Sequence, residues 1–262
     1  MNNSPIGVFD SGVGGTSIWK EIHTALPYEN TIYLADSKNA PYGEKDPKKI
    51  LELSIKNTEL LLQKGCKLVV VACNTATTNA IGFLRENYDL PFVGIEPAIK
   101  PAALGSKSKA IGVLATKGTL TSSLFHATTQ AYTDGITVIE KEGTGLVPLI
   151  EAGNVYASAT KTLLKQYLEP MLDKNIDHLV LGCSHYPYLI PVLKELLPSG
   201  VNIIDSGEAV ARQTKAVLEQ CQLFNALTEP SFHSFYSNAN PDVLTQFVGF
   251  STAKKTIQYL DF

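Results

Sequence analysis

The sequence has little of several features that mark specialised classes of protein. Four cysteines among 262 residues are too few for a disulfide framework in a chain of this length. No apolar run approaches the ~20 residues that cross a bilayer, so we expect no membrane span. The net charge of −3 and the lack of a basic cluster argue against a nucleic-acid partner. The first residues lack the basic and apolar regions of a signal peptide, which predicts a cytoplasmic location.

Motifs for metals and nucleotides are equally scarce. No C-x-x-C pair occurs, and His185 is the one obvious further ligand beside the cysteines, so the sequence predicts no metal site. The glycine-rich stretch Asp10-Ser11-Gly12-Val13-Gly14-Gly15 lacks the ending of a P-loop and the spacing of a dinucleotide fingerprint. Its glycines predict instead a backbone that approaches a small anionic ligand closely.

Two cysteines stand at similar turns in the two halves of the chain. An uninterrupted apolar strand, residues 68–72, leads to Cys73 and then to a helix predicted over residues 76–87. The pattern recurs 110 positions later, where residues 179–182 lead to Cys183. Free N–H groups at the start of a helix favour anions, including a thiolate. The other two, Cys66 and Cys221, lie in amphipathic surroundings and are predicted to be small buried hydrophobes.

Strands and helices are predicted to alternate throughout, which is typical of α/β proteins with parallel sheets. The strand at residues 6–9 is matched by one at 111–114, 105 positions later, so the sequence predicts two pseudo-symmetric parallel-sheet α/β domains. We assign residues 1–97 plus 207–262 to the first domain and residues 98–206 to the second, with the tail returning to the first. Ligands bind beyond the carboxyl ends of such strands, which places an active site in the cleft between the domains.

The remaining elements follow from the apolar patterns and the turn residues. Strands are predicted at 31–35, 92–95, 137–139, 201–204 and 231–237, and helices at 47–64, 157–174, 206–220 and 243–247. Asp46 is predicted to cap the helix that begins at Pro47. The polar loop at 36–45 contains a Pro41-Tyr42-Gly43 turn and is too long to be only a connector, so we expect it to bind a ligand.

Two facing thiols are compatible with several chemistries. Thiol–disulfide exchange remains open, although it usually uses two cysteines that are close in sequence. A nucleophilic Cys–His pair that uses His185 also remains open, although a single nucleophile does not explain a cysteine in each half. Proton removal from one face of a carbon and delivery to the other does require two groups. Such a site interconverts mirror-image substrates, because neither face of the carbon is privileged.

Five ordered motifs resemble those of the glutamate racemases, a family of the aspartate/glutamate racemase superfamily. They are Asp10-Ser11-Gly12-Val13-Gly14-Gly15, Ala40-Pro41-Tyr42-Gly43, Ala72-Cys73-Asn74-Thr75-Ala76, Leu146-Val147-Pro148-Leu149-Ile150-Glu151 and Gly182-Cys183-Ser184-His185-Tyr186-Pro187. The resemblance covers residues 6 to about 250. It implies a cofactor-independent enzyme that interconverts L- and D-glutamate, supplies D-glutamate for bacterial peptidoglycan and forms a homodimer. Two positions depart from the family pattern: Ser184 stands where threonine is usual, and Thr144 where many members carry Cys-Pro.

The resemblance also implies a role for each motif residue. Cys73 would take the α-proton from D-glutamate with the help of Asp10, and Cys183 would take it from L-glutamate with the help of Glu151 and His185. The substrate would be bound by Asp10, Ser11, Tyr42, Gly43, Asn74, Thr75, Ser184 and His185. The alternatives are purely structural: a loop cap for Asp10, a helix-start acid for Glu151, a turn residue for His185, and a turn without a ligand for Tyr42-Gly43.

Two other functions would use the same scaffold. An aspartate racemase would need the same thiols and a tighter pocket, whereas a non-catalytic amino-acid-binding or regulatory protein, such as a partner of DNA gyrase, would need no thiols.

A pyridoxal phosphate enzyme would need a lysine in the cleft. The predicted cleft loops offer only Lys38, Lys45 and Lys117, with no phosphate-binding motif beside them, so we expect no cofactor.

Overall fold

Helices and strands alternate along the chain in the computed structural model, which describes residues 3–226, 231–249 and 254–262. The first part contains β1 (Ile6–Asp10), α1 (Thr16–Ala25), β2 (Thr31–Ala35), α2 (Pro47–Gln63), β3 (Leu68–Val71), α3 (Asn74–Asn87) and β4 (Phe92–Gly94). The second contains α4 (Ile99–Gly105), β5 (Ala110–Ala115), α5 (Lys117–Leu120), α6 (Ser123–Tyr132), β6 (Thr137–Glu142), α7 (Leu146–Glu151), α8 (Ser158–Leu172), β7 (His178–Gly182), α9 (Ile190–Leu196) and β8 (Asn202–Ile204). The tail contains α10 (Gly207–Gln220), β9 (Phe232–Ser237), α11 (Pro241–Val248) and β10 (Lys254–Tyr259).

The described strands form two sheets in which all pairings are parallel. The first sheet has six strands in the order β10-β9-β2-β1-β3-β4, and the second has four in the order β6-β5-β7-β8. The order β2-β1-β3-β4 is repeated by β6-β5-β7-β8, so the second sheet repeats the plan of the first. The predicted pair of parallel-sheet α/β domains is confirmed.

The strands that precede the two cysteines are central and covered on both faces. All four residues of β3 are completely buried, and β3 pairs with β1 in the register Ile6↔Leu68. In the second sheet β7 pairs with β5 in the register Ile111↔His178. Each cysteine turn therefore leaves the sheet beside the turn that follows β1 or β5, and all four turns lie at the carboxyl edges.

The tail extends the first sheet. The strand β9 pairs with β2, and β10 pairs with β9. The sequence indicated the strand β9 but only an undefined closing segment in place of β10. The assignment of the tail to the first domain, with its exact boundaries, stays a prediction.

Three local details differ from the sequence-based expectations. The helix α3 begins earlier than predicted, because Cys73 caps it: the sulfur accepts the N–H of Ala76 at 3.5 Å. Glu151 ends the helix α7 and does not start one, so the helix-start alternative is wrong. Cys221 is exposed where α10 ends, because the buried stripe of that helix stops at Leu218.

One apolar cluster continues from the first sheet into the second. It includes Ile18 and Trp19 of α1 together with Leu181 of β7 and Tyr186 beyond it. Separate clusters cover the opposite face of each sheet. The shared cluster joins the two units on the side of the cleft where α1 lies. In the part of the chain that the structure describes, no helix combines the length and apolar character needed to cross a membrane.

Candidate active site

The turns from the two sheets enclose a single cavity. Cys73 and Cys183 both line this small cavity, and both thiols are buried. The other lining residues come from both units and are Ser11, Pro41, Tyr42, Gly43, Asn74, Thr75, Thr116, Val147, Ser184 and His185. Two predicted site residues, Asp10 and Glu151, are outside this lining and contact it through Ser184 and His185 respectively.

The thiol of Cys73 is held in its neutral form. Its pKa lies well above the ordinary value, because burial penalises the thiolate and the negative charge of Asp10 repels it. The hydrogen bonds from the N–H of Ala76 and the hydroxyl of Ser11 lower the pKa of Cys73, but by less than burial and Asp10 raise it. Cys73 therefore rests as a proton donor, and it acts as a base only when another group stabilises its thiolate.

Asp10 ends β1 and is completely buried. One carboxylate oxygen accepts the N–H groups of Gly15 at 2.9 Å and Gly12 at 3.3 Å, and the other accepts the hydroxyl of Ser184 at 3.1 Å. Burial raises the pKa of this carboxyl, although the charge of His185 and the N–H of Gly15 lower it in part. Asp10 thus caps its own loop and also joins the two units.

A second acid/base chain lies behind Cys183. Its sulfur is 3.8 Å from Nδ1 of His185, and Nε2 of His185 is 2.6 Å from Oε1 of Glu151. Burial alone would lower the pKa of His185. The hydrogen bonds to Cys183 and Glu151 and the charges of Glu151 and Asp10 outweigh burial, so that pKa lies well above the ordinary value. A protonated His185 stabilises a thiolate on Cys183.

The glycine-rich turn contacts side chains of the second unit directly. Val13 donates its N–H to Oε1 of Glu151 at 2.8 Å. A Cβ on Gly12 would lie 2.0 Å from the same oxygen, and one on Gly14 would lie 2.2 Å from Nδ1 of His185. Only glycine permits this approach. The turn therefore meets two carboxylates of the protein itself, Asp10 and Glu151, while its Ser11 lines the cavity. The expected approach to a small anionic ligand stays a prediction.

Unused polar groups line the cavity. The side chain of Asn74 is buried, and neither its amide nitrogen nor its amide oxygen has a hydrogen-bond partner among the described residues. A buried amide without partners costs free energy unless a ligand supplies them. The hydroxyl of Tyr42 is occupied, because it bonds Asp36 and accepts the side-chain N–H of Asn57 at 3.0 Å. The backbone of Tyr42 and Gly43 is thus the part of this turn that faces the cavity.

Three lining residues were missed from the sequence: Pro41, Thr116 and Val147. The internal repeat contained a signal for Thr116, because it occupies the position 105 residues after Ser11. Its hydroxyl bonds that of Thr75 at 2.8 Å, which joins the two units at the cavity lining. The repeat places Ala115 opposite Asp10, so the second unit lacks that acid and carries Glu151 on α7 instead.

The described residues form no group of three or more histidine, cysteine or acidic side chains that could hold a metal ion. The three lysines of the predicted cleft loops do not line the cavity. Lys38 and Lys117 are exposed, and Lys38 pairs with Asp261 at 3.4 Å.

Comparisons with known proteins agree with this geometry. Residues 6–214 match the Asp/Glu/Hydantoin racemase family. A glutamate racemase from Ectopseudomonas mendocina is 50% identical over 234 residues, which is 88% of each chain. The structure resembles a glutamate racemase isoform from Bacillus anthracis, with a TM-score of 0.88, 28% identity and coverage of 100% and 99% of the two chains. It also resembles Escherichia coli glutamate racemase in complex with L-glutamate and the activator UDP-MurNAc-Ala, with a TM-score of 0.83, 34% identity and coverage of 97% and 99%.

Proposed function

Since this chain belongs to the Asp/Glu/Hydantoin racemase family, we infer that it is a glutamate racemase that interconverts L- and D-glutamate. The observation that carries this inference is the pair of buried cysteines, one from each unit, on the same small cavity. The similarity to proteins named glutamate racemase supports glutamate as the substrate.

The two thiols divide the reaction between the two faces of the α-carbon. Starting from L-glutamate, the thiolate of Cys183 takes the α-proton: the C–H bond breaks, an S–H bond forms, and the electron pair stays on carbon. Cys73 then gives its own proton to the opposite face and becomes the thiolate. Starting from D-glutamate, the two residues exchange roles. The reaction is balanced without a metal or an organic cofactor.

The groups around the two thiols support the direction that starts from L-glutamate. Cys73, whose pKa is raised, is the proton donor, and His185, whose pKa is also raised, lies beside Cys183 with a positive charge when protonated. Glu151 assists Cys183 by holding His185 in place. In the reverse direction we assign to Asp10 the supporting role on the Cys73 side, because its carboxyl acts on that thiol and burial raises the pKa of this carboxyl.

The polar lining matches the charges of glutamate. The unpartnered amide of Asn74 and the N–H groups at the start of α3, with the hydroxyl of Thr75, are placed to hold one carboxylate. Backbone donors of Tyr42 and Gly43 are placed to hold the other. Ser11, Ser184 and His185 complete the binding set. These contacts also stabilise the negative charge that develops on the substrate when the α-proton leaves.

The family resemblance supports three broader proposals. The enzyme acts in the cytoplasm, it forms a homodimer, and it supplies D-glutamate for peptidoglycan. Each is separate from the chemistry, so the activity can be tested first with purified protein.

The test is to follow L-glutamate by circular dichroism with purified protein, without added pyridoxal phosphate or metal. The native protein is expected to bring the signal to zero, because an equal mixture of enantiomers has none. Cys73→Ala and Cys183→Ala are each expected to abolish turnover, since each removes the proton donor or acceptor on one face. The matched control is Cys221→Ala, which changes an exposed cysteine far from the cavity and should racemise normally.

The same assay with L-aspartate distinguishes a glutamate racemase from an aspartate racemase. The shorter chain of aspartate cannot place both carboxylates on their donors at once, so we expect a lower kcat/KM than for glutamate. A preference for aspartate would instead assign an aspartate racemase. Turnover of neither amino acid by folded native protein would favour the non-catalytic alternative.

A further inference from the structure

A tyrosine hydroxyl contacts the carbonyl side of the glycine-rich turn. Tyr33 belongs to β2 and is completely buried. Its hydroxyl donates to the carbonyl oxygen of Gly12 at 2.8 Å. Burial and the nearby charge of Asp10 raise the pKa of Tyr33 well above the ordinary value, so this hydroxyl keeps its proton and remains a donor.

The carbonyl of Gly12 and the N–H of Val13 are opposite edges of the same planar peptide unit. That N–H donates to Oε1 of Glu151 at 2.8 Å, the oxygen that also lies 2.6 Å from His185. One rigid plane therefore connects the hydroxyl of Tyr33 in the first unit to the carboxylate of Glu151 in the second. Rotation of this peptide would turn the N–H away from Glu151.

Other groups hold the peptides on either side of this plane: the N–H of Gly12 donates to Asp10, and the N–H of Thr16 donates to the carbonyl of Val13. Gly12 carries no side chain, and a Cβ there would collide with Glu151. The next peptide is held separately, because the hydroxyl of Thr16 donates to the carbonyl of Val13 at 2.6 Å. The N–H of that peptide, from Gly14, lies 3.2 Å from Nε2 of His185, so both peptides that meet the second unit have a hydroxyl on their carbonyl. For the peptide that meets Glu151, the hydroxyl is that of Tyr33.

We propose that Tyr33 is a positioning residue for the Glu151–His185 pair and acts through the Gly12–Val13 peptide. The proposal rests on the racemase activity inferred above, in which this pair assists Cys183. It assigns to Tyr33 no contact with the substrate. Its effect is on how firmly Glu151 is held, and thereby on the proton affinity of His185.

The test compares Tyr33→Phe with Tyr167→Phe. Tyr167 is a matched control because its hydroxyl also donates to a backbone carbonyl, that of Thr144 at 2.6 Å, but without touching the glycine-rich turn. NMR titration of the His185 ring gives its pKa without any turnover. Glu151 raises that pKa, so a less firmly held Glu151 should lower it. We expect a lower His185 pKa in Tyr33→Phe and the native value in Tyr167→Phe.

Kinetics provide a second readout that a general loss of stability would not give. The kcat/KM of Tyr33→Phe should fall by about threefold to tenfold, as for the loss of one neutral hydrogen bond. It must fall equally in both directions, because the enantiomers are equal in free energy. The primary isotope effect on kcat/KM should rise with L-[2-²H]glutamate and not with D-[2-²H]glutamate, since only proton removal by Cys183 is slowed.

A third variant protects the test against a failure to fold. Replacement of Tyr33 by 4-aminophenylalanine leaves a weaker N–H donor, so its His185 pKa and isotope effect should lie between those of the native protein and Tyr33→Phe. A native His185 pKa in either variant would overturn the proposal, and so would isotope effects that rise equally for both enantiomers. If the native protein failed to racemise glutamate, the inferred activity would fail, while the NMR titration would still decide the role of Tyr33.

Discussion

At the scale of single residues, burial and one neighbouring charge set the reactivity of Cys73. Both raise its pKa, so alkylation of Cys73 by iodoacetamide should accelerate only above the ordinary thiol range, whose centre is ~8.5. Asp10→Asn removes the repelling charge, and the inflection should therefore move to lower pH. The experiment uses a Cys183→Ser background and mass spectrometry of the Cys73 peptide.

The exposed Cys221 in the same samples reports whether the reagent is equally active in each. An unchanged inflection in Asp10→Asn would show that the charge of Asp10 does not act on Cys73. A shift in the opposite direction would contradict the sign of the interaction.

The site residues that could be predicted from the sequence were those marked by a pattern in the residues next to them. Cys73 and Cys183 could be found because each interrupts an apolar strand at the start of a helix. Their partners could not be found from spacing, since the bonds from Val13 to Glu151 and from Ser184 to Asp10 cross between units. The assigned roles of these residues stay predictions until the variants are measured. Cys221 was predicted wrongly, because an amphipathic pattern does not show on which side of a helix end a residue lies.

At the scale of elements, the glycine-rich turn is limited by space and not by backbone conformation. Gly12→Ala places a Cβ against the Glu151 carboxylate, 2.0 Å from the present oxygen position, so that carboxylate must move. A displacement of about 1 Å in a catalytic group can cost roughly 100-fold in rate. We therefore expect kcat to fall about 100-fold, measured with L-glutamate by circular dichroism, while the fold is retained.

Gly82→Ala is the matched control for this change. Gly82 lies within α3, and an added Cβ there meets no atom within 4 Å. Alanine favours a helix over glycine by about 0.5–1 kcal/mol, so this variant should be fully active and slightly more stable. Full activity of Gly12→Ala would mean that Glu151 can shift without consequence.

Elements with strong patterns were predicted well. The cap at Asp46 and the proline at the start of α2 are both confirmed, because capping chemistry is local. The short helix α7 is absent from the predicted elements, since six residues give too little periodicity to recognise. The edge strand β10 is half exposed and polar, and it becomes a strand by pairing with β9, which sequence alone cannot show.

At the scale of the whole molecule, the contact between the units should make stability depend on pH. His185 has a folded-state pKa well above the 6.5 of an ordinary histidine. Its contribution to the free energy of unfolding is complete below about pH 6.5 and is lost as pH rises through the folded-state pKa. Urea unfolding followed by circular dichroism between about pH 6 and 8.5 should show this decline.

Glu151→Gln should weaken the decline, because it removes the charge that raises the His185 pKa. Glu195→Gln is the control, since Glu195 pairs with Lys161 on the surface and should leave the native pH dependence intact. The linkage would be refuted if native protein and Glu151→Gln lost stability in parallel over this range.

The two-unit plan was predictable because the repeat preserves both the strand pattern and the position of the cysteine. The mutual placement of the units was not, since it depends on contacts such as the apolar cluster that joins α1 to Tyr186. The repeat also suggested more symmetry than exists: Asp10 corresponds to Ala115, and the acid of the second unit comes from α7. Chain periodicity shows which elements recur, and it does not show where function has diverged.

The two hydrogen bonds across the cleft make each half of this enzyme depend on the other. Each half holds one thiol and also a donor that the acid of the other half requires: Val13 for Glu151, and Ser184 for Asp10. Both bonds are made in the structure, so the contact that pairs each acid with its donor also brings the two thiols to one cavity. Neither half alone contains a proton donor, a proton acceptor and the groups that support both, so exchange at the α-carbon requires the two halves to be in contact.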